Sequence, residues 1–291
     1  MGTKAGTIVV GVDGSDSSTR ALAWATDQAV VEHRPLTLVH AIHAVTPAYT
    51  DAAIVHPREA GAILTAEGQK VLDTAHAKVD ASAPDLEVHQ VLEFVDPREK
   101  LLQLSQDAAM VVLGSRGRGK LRSLLLGSVG VALVRHAHCP VVVHRPGKAG
   151  TLRNGIVVGV EASEESRAVL EFAYREASVR NLPLTVLHCY WDIQAGTAAA
   201  GIVYESMLDV DSEQAVLDEA MAGMSEKYPD VGVSTRMARG LPHEVLAELG
   251  EQMNLIVVGA HHANRVSQMV FGSVSIALVE RASCPVAVVP V

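Results

Sequence analysis

The sequence predicts an α/β protein built from two successive copies of one fold, each an open parallel sheet flanked by helices. Three observations predict it. Apolar runs of strand length alternate with helix-length amphipathic stretches. The motifs of the first half return in the same order in the second. Hydrophobic residues make up 48% of the chain but aromatics only 3%, so the cores must be built from Val, Leu, Ile and Ala, the composition of buried parallel strands.

The internal repeat fixes the architecture before any single residue is interpreted. Ile8-Val9-Val10-Gly11-Val12-Asp13-Gly14-Ser15 returns as Ile156-Val157-Val158-Gly159-Val160-Glu161-Ala162-Ser163, and Leu36-Thr37-Leu38-Val39-His40 returns at the same offset as Leu184-Thr185-Val186-Leu187-His188. Near the end of each half, Leu126-Gly127-Ser128-Val129 matches Phe271-Gly272-Ser273-Val274, and Cys139-Pro140-Val141 matches Cys284-Pro285-Val286. Between the halves, residues 144–150 combine Pro, Gly and basic residues after an apolar run and read as a linker. The expected domains are 1–147 and 151–291, each of about 145 residues, enough to bury its own core.

In the first half, residues 7–12 read as a buried strand. Residues 17–31 read as a helix, with Ser15 and Asp16 as candidate N-caps. A strand over 36–42, a helix over 61–82 and a strand over 87–94 follow, then a helix from 97, a strand over 109–113, a helix from 127 and a strand over 141–144. This alternation implies right-handed crossovers. Residues 44–60 show no periodicity, hold Pro47 and Pro57, and read as an irregular loop; their counterpart lies near 192–202.

A net charge of −9 argues against nucleic acid or an anionic membrane as partner, since both need broad positive potential. No run approaches the roughly 20 apolar residues that span a bilayer, and the start of the chain has no apolar signal core. Cys139, Cys189 and Cys284 form no C-x-x-C pair. The expected compartment is the reducing cytoplasm.

Any anion site must therefore be local. Gly114-Ser115-Arg116-Gly117-Arg118-Gly119-Lys120 follows an apolar strand, and Gly127-Ser128 opens an apolar-periodic helix. In an open α/β sheet, ligands sit beyond the carboxyl ends of the strands, where glycines let backbone N–H groups approach phosphate. Arg116, Arg118, Lys120 and Arg122 add charge in an otherwise acidic protein. A Walker loop is excluded because Leu121 stands where Ser or Thr should bind magnesium. A dinucleotide fingerprint is excluded because Arg122 stands where the third glycine should be. Asp13, in the first strand-to-helix turn, suits ribose hydroxyls, a metal near phosphates, or a plain turn; Ala41 would leave room for a flat base.

Assembled, these residues resemble the universal stress protein family along nearly the whole chain. The first copy matches the family's ATP signature as Gly114-x-x-Gly117, nine residues, then Gly127-Ser128. The resemblance implies a five-stranded sheet in the order 3-2-1-4-5 in each copy. It implies Asp13 at the ribose, Gly11, Val12 and Ala41 around the adenosine, and Gly114, Ser115, Arg116, Gly117 and Arg118 at the phosphates with Gly127, Ser128 and Val129. ATP, with Mg2+, is the implied cofactor. The corresponding second site would comprise Gly159, Glu161, Gly259, His262, Gly272, Ser273 and Val274, but Glu161 and His262 replace the ribose aspartate and a loop glycine. Nucleotide is therefore expected in the first copy, with a damaged site in the second. The resemblance also implies pairing of the two copies through their last strands as an intramolecular pseudo-dimer, and assembly of two chains into a homodimer.

Other combinations carry less chemistry. His136, His138 and Cys139 sit at a helix-to-strand junction without a further ligand nearby in sequence, and no protein-only metal site is expected. His40 and His188 read as structural histidines. No residue is assigned a catalytic role, because no general base or G-x-S-x-G nucleophile can be identified. The leading reading is an ATP-binding, nucleotide-responsive regulator in stress adaptation or growth control. A slow ATPase and an interaction module with unused pockets are the alternatives.

Overall fold

The computed structural model describes residues 4–43, 57–117, 126–147, 150–161, 166–190, 215, 217–260 and 272–291. The chain divides into two compact units, Met1–Pro146 and Gly147–Val291. The first contains β1 (Ile8–Gly11), α1 (Asp16–Val31), β2 (Leu36–Ala41), α2 (Pro57–Ser82), β3 (Val88–Glu93), α3 (Pro97–Leu104), β4 (Met110–Gly114), α4 (Ser128–His136) and β5 (Val141–His144). The second contains, among the described residues, β6 (Ile156–Val160), α5 (Ser166–Arg180), β7 (Leu184–Tyr190), α6 (Met224–Lys227), β8 (Val233–Arg239), α7 (Pro242–Leu249), β9 (Leu255–Ala260), α8 (Gly272–Arg281) and β10 (Val286–Pro290).

Within the first unit the strands lie in the order β3-β2-β1-β4-β5, and within the second in the order β8-β7-β6-β9-β10, all parallel. Each unit is thus an open sheet of order 3-2-1-4-5. The central strands are apolar throughout because both faces are covered: Ile8, Val9, Val10, Val111 and Val112 are completely buried, as are Ile156, Val157 and Val158. Register is set at the buried end of β1, where Thr7 Oγ1 donates to the Pro35 carbonyl at 2.8 Å and shares a hydrogen bond with Thr37 Oγ1 at 2.9 Å.

The helices follow the same logic. Ser15 caps α1 by accepting from the Ser18 N–H at 3.1 Å. At the other end, His33 adopts φ +53 while the Arg34 N–H reaches back to the Ala29 carbonyl, and Asn181 with Leu182 repeats the arrangement after α5. Both are left-handed helix terminations in which orphan carbonyls gain donors. Helix α2 begins at Pro57, four residues before the predicted start, because the fixed φ of proline suits the first helical position. Residues 57–60 were expected to be loop; 44–56 and 191–202 lie outside the described residues. The buried Gly68, Leu72, Ala75 and Val79 form the stripe that holds α2 against the sheet.

Helix α1 packs against α2, and α3 against α4. With right-handed crossovers, reversal of direction after β3 puts these pairs on opposite faces. The reversal leaves a crevice at the carboxyl ends of β1 and β4, with its equivalent at β6 and β9.

Candidate functional site

The first crevice opens into a cleft of about 600 Å3. Its lining includes Gly11, Val12, Asp13, Ala41, Gly114, Ser115, Arg116, Gly117, Gly127, Ser128 and Val129. The structure therefore brings together every residue proposed for the first site except Arg118, which lies outside the described residues with Lys120 and Arg122.

Asp13 is held by the turn it initiates. Its Oδ1 accepts from the Ser15 N–H at 2.9 Å, its own N–H approaches Ser18 Oγ at 3.4 Å, and Gly14 takes φ +77, which a side chain would oppose. Its Oδ2 faces the glycine loop: a Cβ added at Gly117 would lie 2.9 Å from it. The loop is tied to α1 by the Arg116 N–H, which donates to Ser17 Oγ at 3.3 Å. A Cβ at Gly114 would fall 2.6 Å from the Ser17 backbone carbon, too close for any side chain. Glycine at 114 thus permits the loop to lie against the first turn of α1.

The opposite wall is helical. Gly127 is the N-cap of α4 and supplies no side-chain acceptor for its first N–H groups, and a Cβ at Gly127 would enter open space. Uncapped amides and the helix dipole make this rim attractive to an anion. Pro97 and Leu101 of α3, with Leu113 and Leu126, supply the apolar part of the cleft. Sequence reasoning missed these four; the available signal was Asp96 followed by Pro97, a cap and first-turn pair that starts α3 at the carboxyl end of β3.

His40 also borders the cleft, with Nδ1 2.7 Å from the Val12 carbonyl. A carbonyl only accepts, so Nδ1 carries the proton. His188 makes the same contact with Val160 at 3.0 Å. Burial pushes the Cys139 and Cys284 thiols up to about 12, making them small apolar groups rather than nucleophiles. Among the described residues, no cluster of three or more His, Cys, Asp or Glu is arranged to hold a metal, and no helix is long and apolar enough to cross a membrane.

The second crevice encloses only about 110 Å3. Gly159, Glu161, Gly259 and Val274 line it, while Gly272 and Ser273 begin α8 and His262 lies outside the described residues. Two cleft positions that are small in the first copy carry larger groups here. Cys189 follows β7's histidine where Ala41 follows His40, and Ser275 stands where Gly130 stands, its Oγ donating to the Gly259 carbonyl at 3.0 Å.

A doubly wound α/β unit with a cleft at its switch point, present twice in one chain, defines a tandem member of the open parallel α/β class. The chain belongs to the universal stress protein family, whose model matches residues 4–145 and again 153–290. It is 34% identical over 287 residues to a universal stress protein of Mycobacterium tuberculosis, a match covering 97% of this chain and 96% of the relative. A relative from Mycolicibacterium smegmatis is 34% identical over 289 residues, with 97% and 96% covered. The crystal structure of a universal stress protein from Archaeoglobus fulgidus shares the fold, with a TM-score of 0.72 at 18% identity, covering 99% of both chains.

Proposed function

We propose that the first unit binds ATP and that occupancy of its cleft is a regulatory signal in stress adaptation or growth control. One observation carries this reading: Asp13 and Gly117 meet across a cleft whose other rim is the uncapped start of α4. Asp13 would hold the ribose, with the apolar wall of Leu101 and Leu113 beside the base. Amides of Gly117, Ser128 and Val129 would face the phosphates, joined by the Arg116 and Arg118 side chains, while the Arg116 amide holds the loop to Ser17. Each hydrogen bond to a charged phosphate is worth about 1.5–3 kcal/mol. Mg2+ would be held through the nucleotide, with Asp13 as the carboxylate among the described lining residues.

A ligand at 100 times its dissociation constant stabilises the bound form by about 2.7 kcal/mol. That is enough to couple occupancy to a loop or to a partner surface. The second unit takes no part in nucleotide binding in this reading. Pairing of the copies as an intramolecular pseudo-dimer, homodimer assembly and a cytoplasmic location belong to the same proposal; light scattering across a wide concentration range tests the assembly.

The deciding experiment denatures freshly purified protein and quantifies released nucleotides by chromatography and mass spectrometry, beside Gly117→Ala and Gly259→Ala variants. About one ATP per chain, lost only from Gly117→Ala, supports the reading. No released nucleotide and no binding on addition of ATP would leave an interaction module.

A further inference from the structure

The second cleft differs from the first in charge and lining as well as size. Its walls are Val160, Val169, Leu187, Leu246, Val258 and Val291. None of its described lining residues is basic and Glu161 is one of them, so among these residues a polyphosphate would meet like charge. The contraction has identifiable causes. Val169 packs near Gly259, where an added Cβ would lie 3.2 Å from its Cγ2, and Ser275 Oγ is fastened to the Gly259 carbonyl. What is left is a small apolar chamber at the position where this fold places ligands.

An apolar cavity of roughly 150 Å3 stays dry and accepts benzene; the second cleft, at about 110 Å3 with an open mouth, is in that range. We infer that the second unit binds a small uncharged apolar molecule, an aromatic ring or branched aliphatic group of about the size of benzene, in place of a nucleotide. Leu246, Val258 and Cys189 are all part of the chamber's lining. The thiol, raised to about 11 by burial, stays protonated and adds no charge to the chamber. This inference does not depend on ATP binding in the first unit.

The test uses the full chain with 13C-labelled Val and Leu methyl groups, and benzene as the probe. Saturable shifts of the Val160, Val169 and Leu246 methyls are expected, with those of Val39, Leu101 and Leu113 unmoved. Two variants that fill the chamber, Cys189→Leu and Ser275→Leu, should each weaken benzene binding tenfold or more. Unchanged shifts of the Val157 and Leu184 methyls, which lie in the core of the second unit away from the chamber lining, would show that each variant remains folded, and either variant alone suffices. Absence of saturable shifts in the second unit would overturn the inference. So would undiminished binding in the folded variants, or displacement of benzene by ATP. ATP binding to the first unit is read separately from its own methyls, so the two readings can fail independently.

Discussion

The two clefts occupy the same crevice of the same fold yet differ about fivefold in volume, 600 against 110 Å3. The sheet order is the same in both units, and among the described residues two matched cleft positions carry larger side chains in the second, Cys189 for Ala41 and Ser275 for Gly130. In the first unit the strand-to-helix turn presents Asp13 to a glycine loop that lies against α1. In the second, Glu161 is one methylene longer, and Ser166 Oγ donates to the Glu161 carbonyl, where Ser18 Oγ instead bonds the Ser15 carbonyl. The comparison teaches that sheet order places a site while a few side chains at the strand ends decide its chemistry.

The sharpest way to break this comparison is to remove both carboxylates in turn. Asp13→Ala should cost about 1.5–3 kcal/mol of ATP affinity, roughly ten- to hundredfold in Kd, whereas Glu161→Ala should leave titration calorimetry with ATP unchanged. Equal losses would mean that the two clefts share one ligand. Next in size is the paired glycine test in urea unfolding. Gly114→Ala forces a Cβ to within 2.6 Å of Ser17 backbone, whereas Gly259→Ala meets the movable Val169 methyl at 3.2 Å. The first should therefore destabilise its unit by about 1–3 kcal/mol more than the second.

Helix caps give a smaller contrast. Asp96 accepts from the Arg98 N–H at 2.8 Å and starts α3, while Leu241 starts α7 without a side-chain cap. Asp96→Ala should lower stability by about 0.5–2 kcal/mol, and Leu241→Asp should raise it by up to about 1 kcal/mol. The Arg98 guanidinium holds the Asp96 carboxyl down at about 2. Its folded pKa lies below the unfolded value, so its contribution is present above the ordinary value of 3.8 and is lost as pH falls toward 2. Acid titration of wild type against Asp96→Ala checks this window. The smallest effect is expected at the left-handed positions. His33→Gly should gain up to roughly 1 kcal/mol and Asn181→Gly less, because asparagine tolerates that conformation better, as paired melting curves would show.

The strand and helix order was legible because apolar runs and amphipathic stripes are local, and the repeat doubled the signal. The 3-2-1-4-5 order and the residues that line the first cleft came through resemblance, carried by the spacing from Gly114 to Ser128. What the residues could not reveal depends on long-range approach. The Ser17 hydroxyl receives the Arg116 amide across ninety-nine positions of chain, and nothing near either residue marks the pairing. Pro97 and Leu101 read as ordinary helix residues until the reversal after β3 carries α3 to the cleft. The start of α2 was misplaced because Pro57 serves a helix's first turn as readily as a loop.

The two oxygens of Asp13 serve different neighbours: Oδ1 accepts the Ser15 amide, while Oδ2 faces Gly117. An asparagine there could keep the first contact through its carbonyl oxygen while giving up the negative charge, so this turn can survive a change that removes the charge proposed to meet a ligand. In a duplicated gene that separability is permissive. One copy can drift toward a new occupant while its backbone stays intact, and the two halves of the chain need not diverge in shape to diverge in what they recognise.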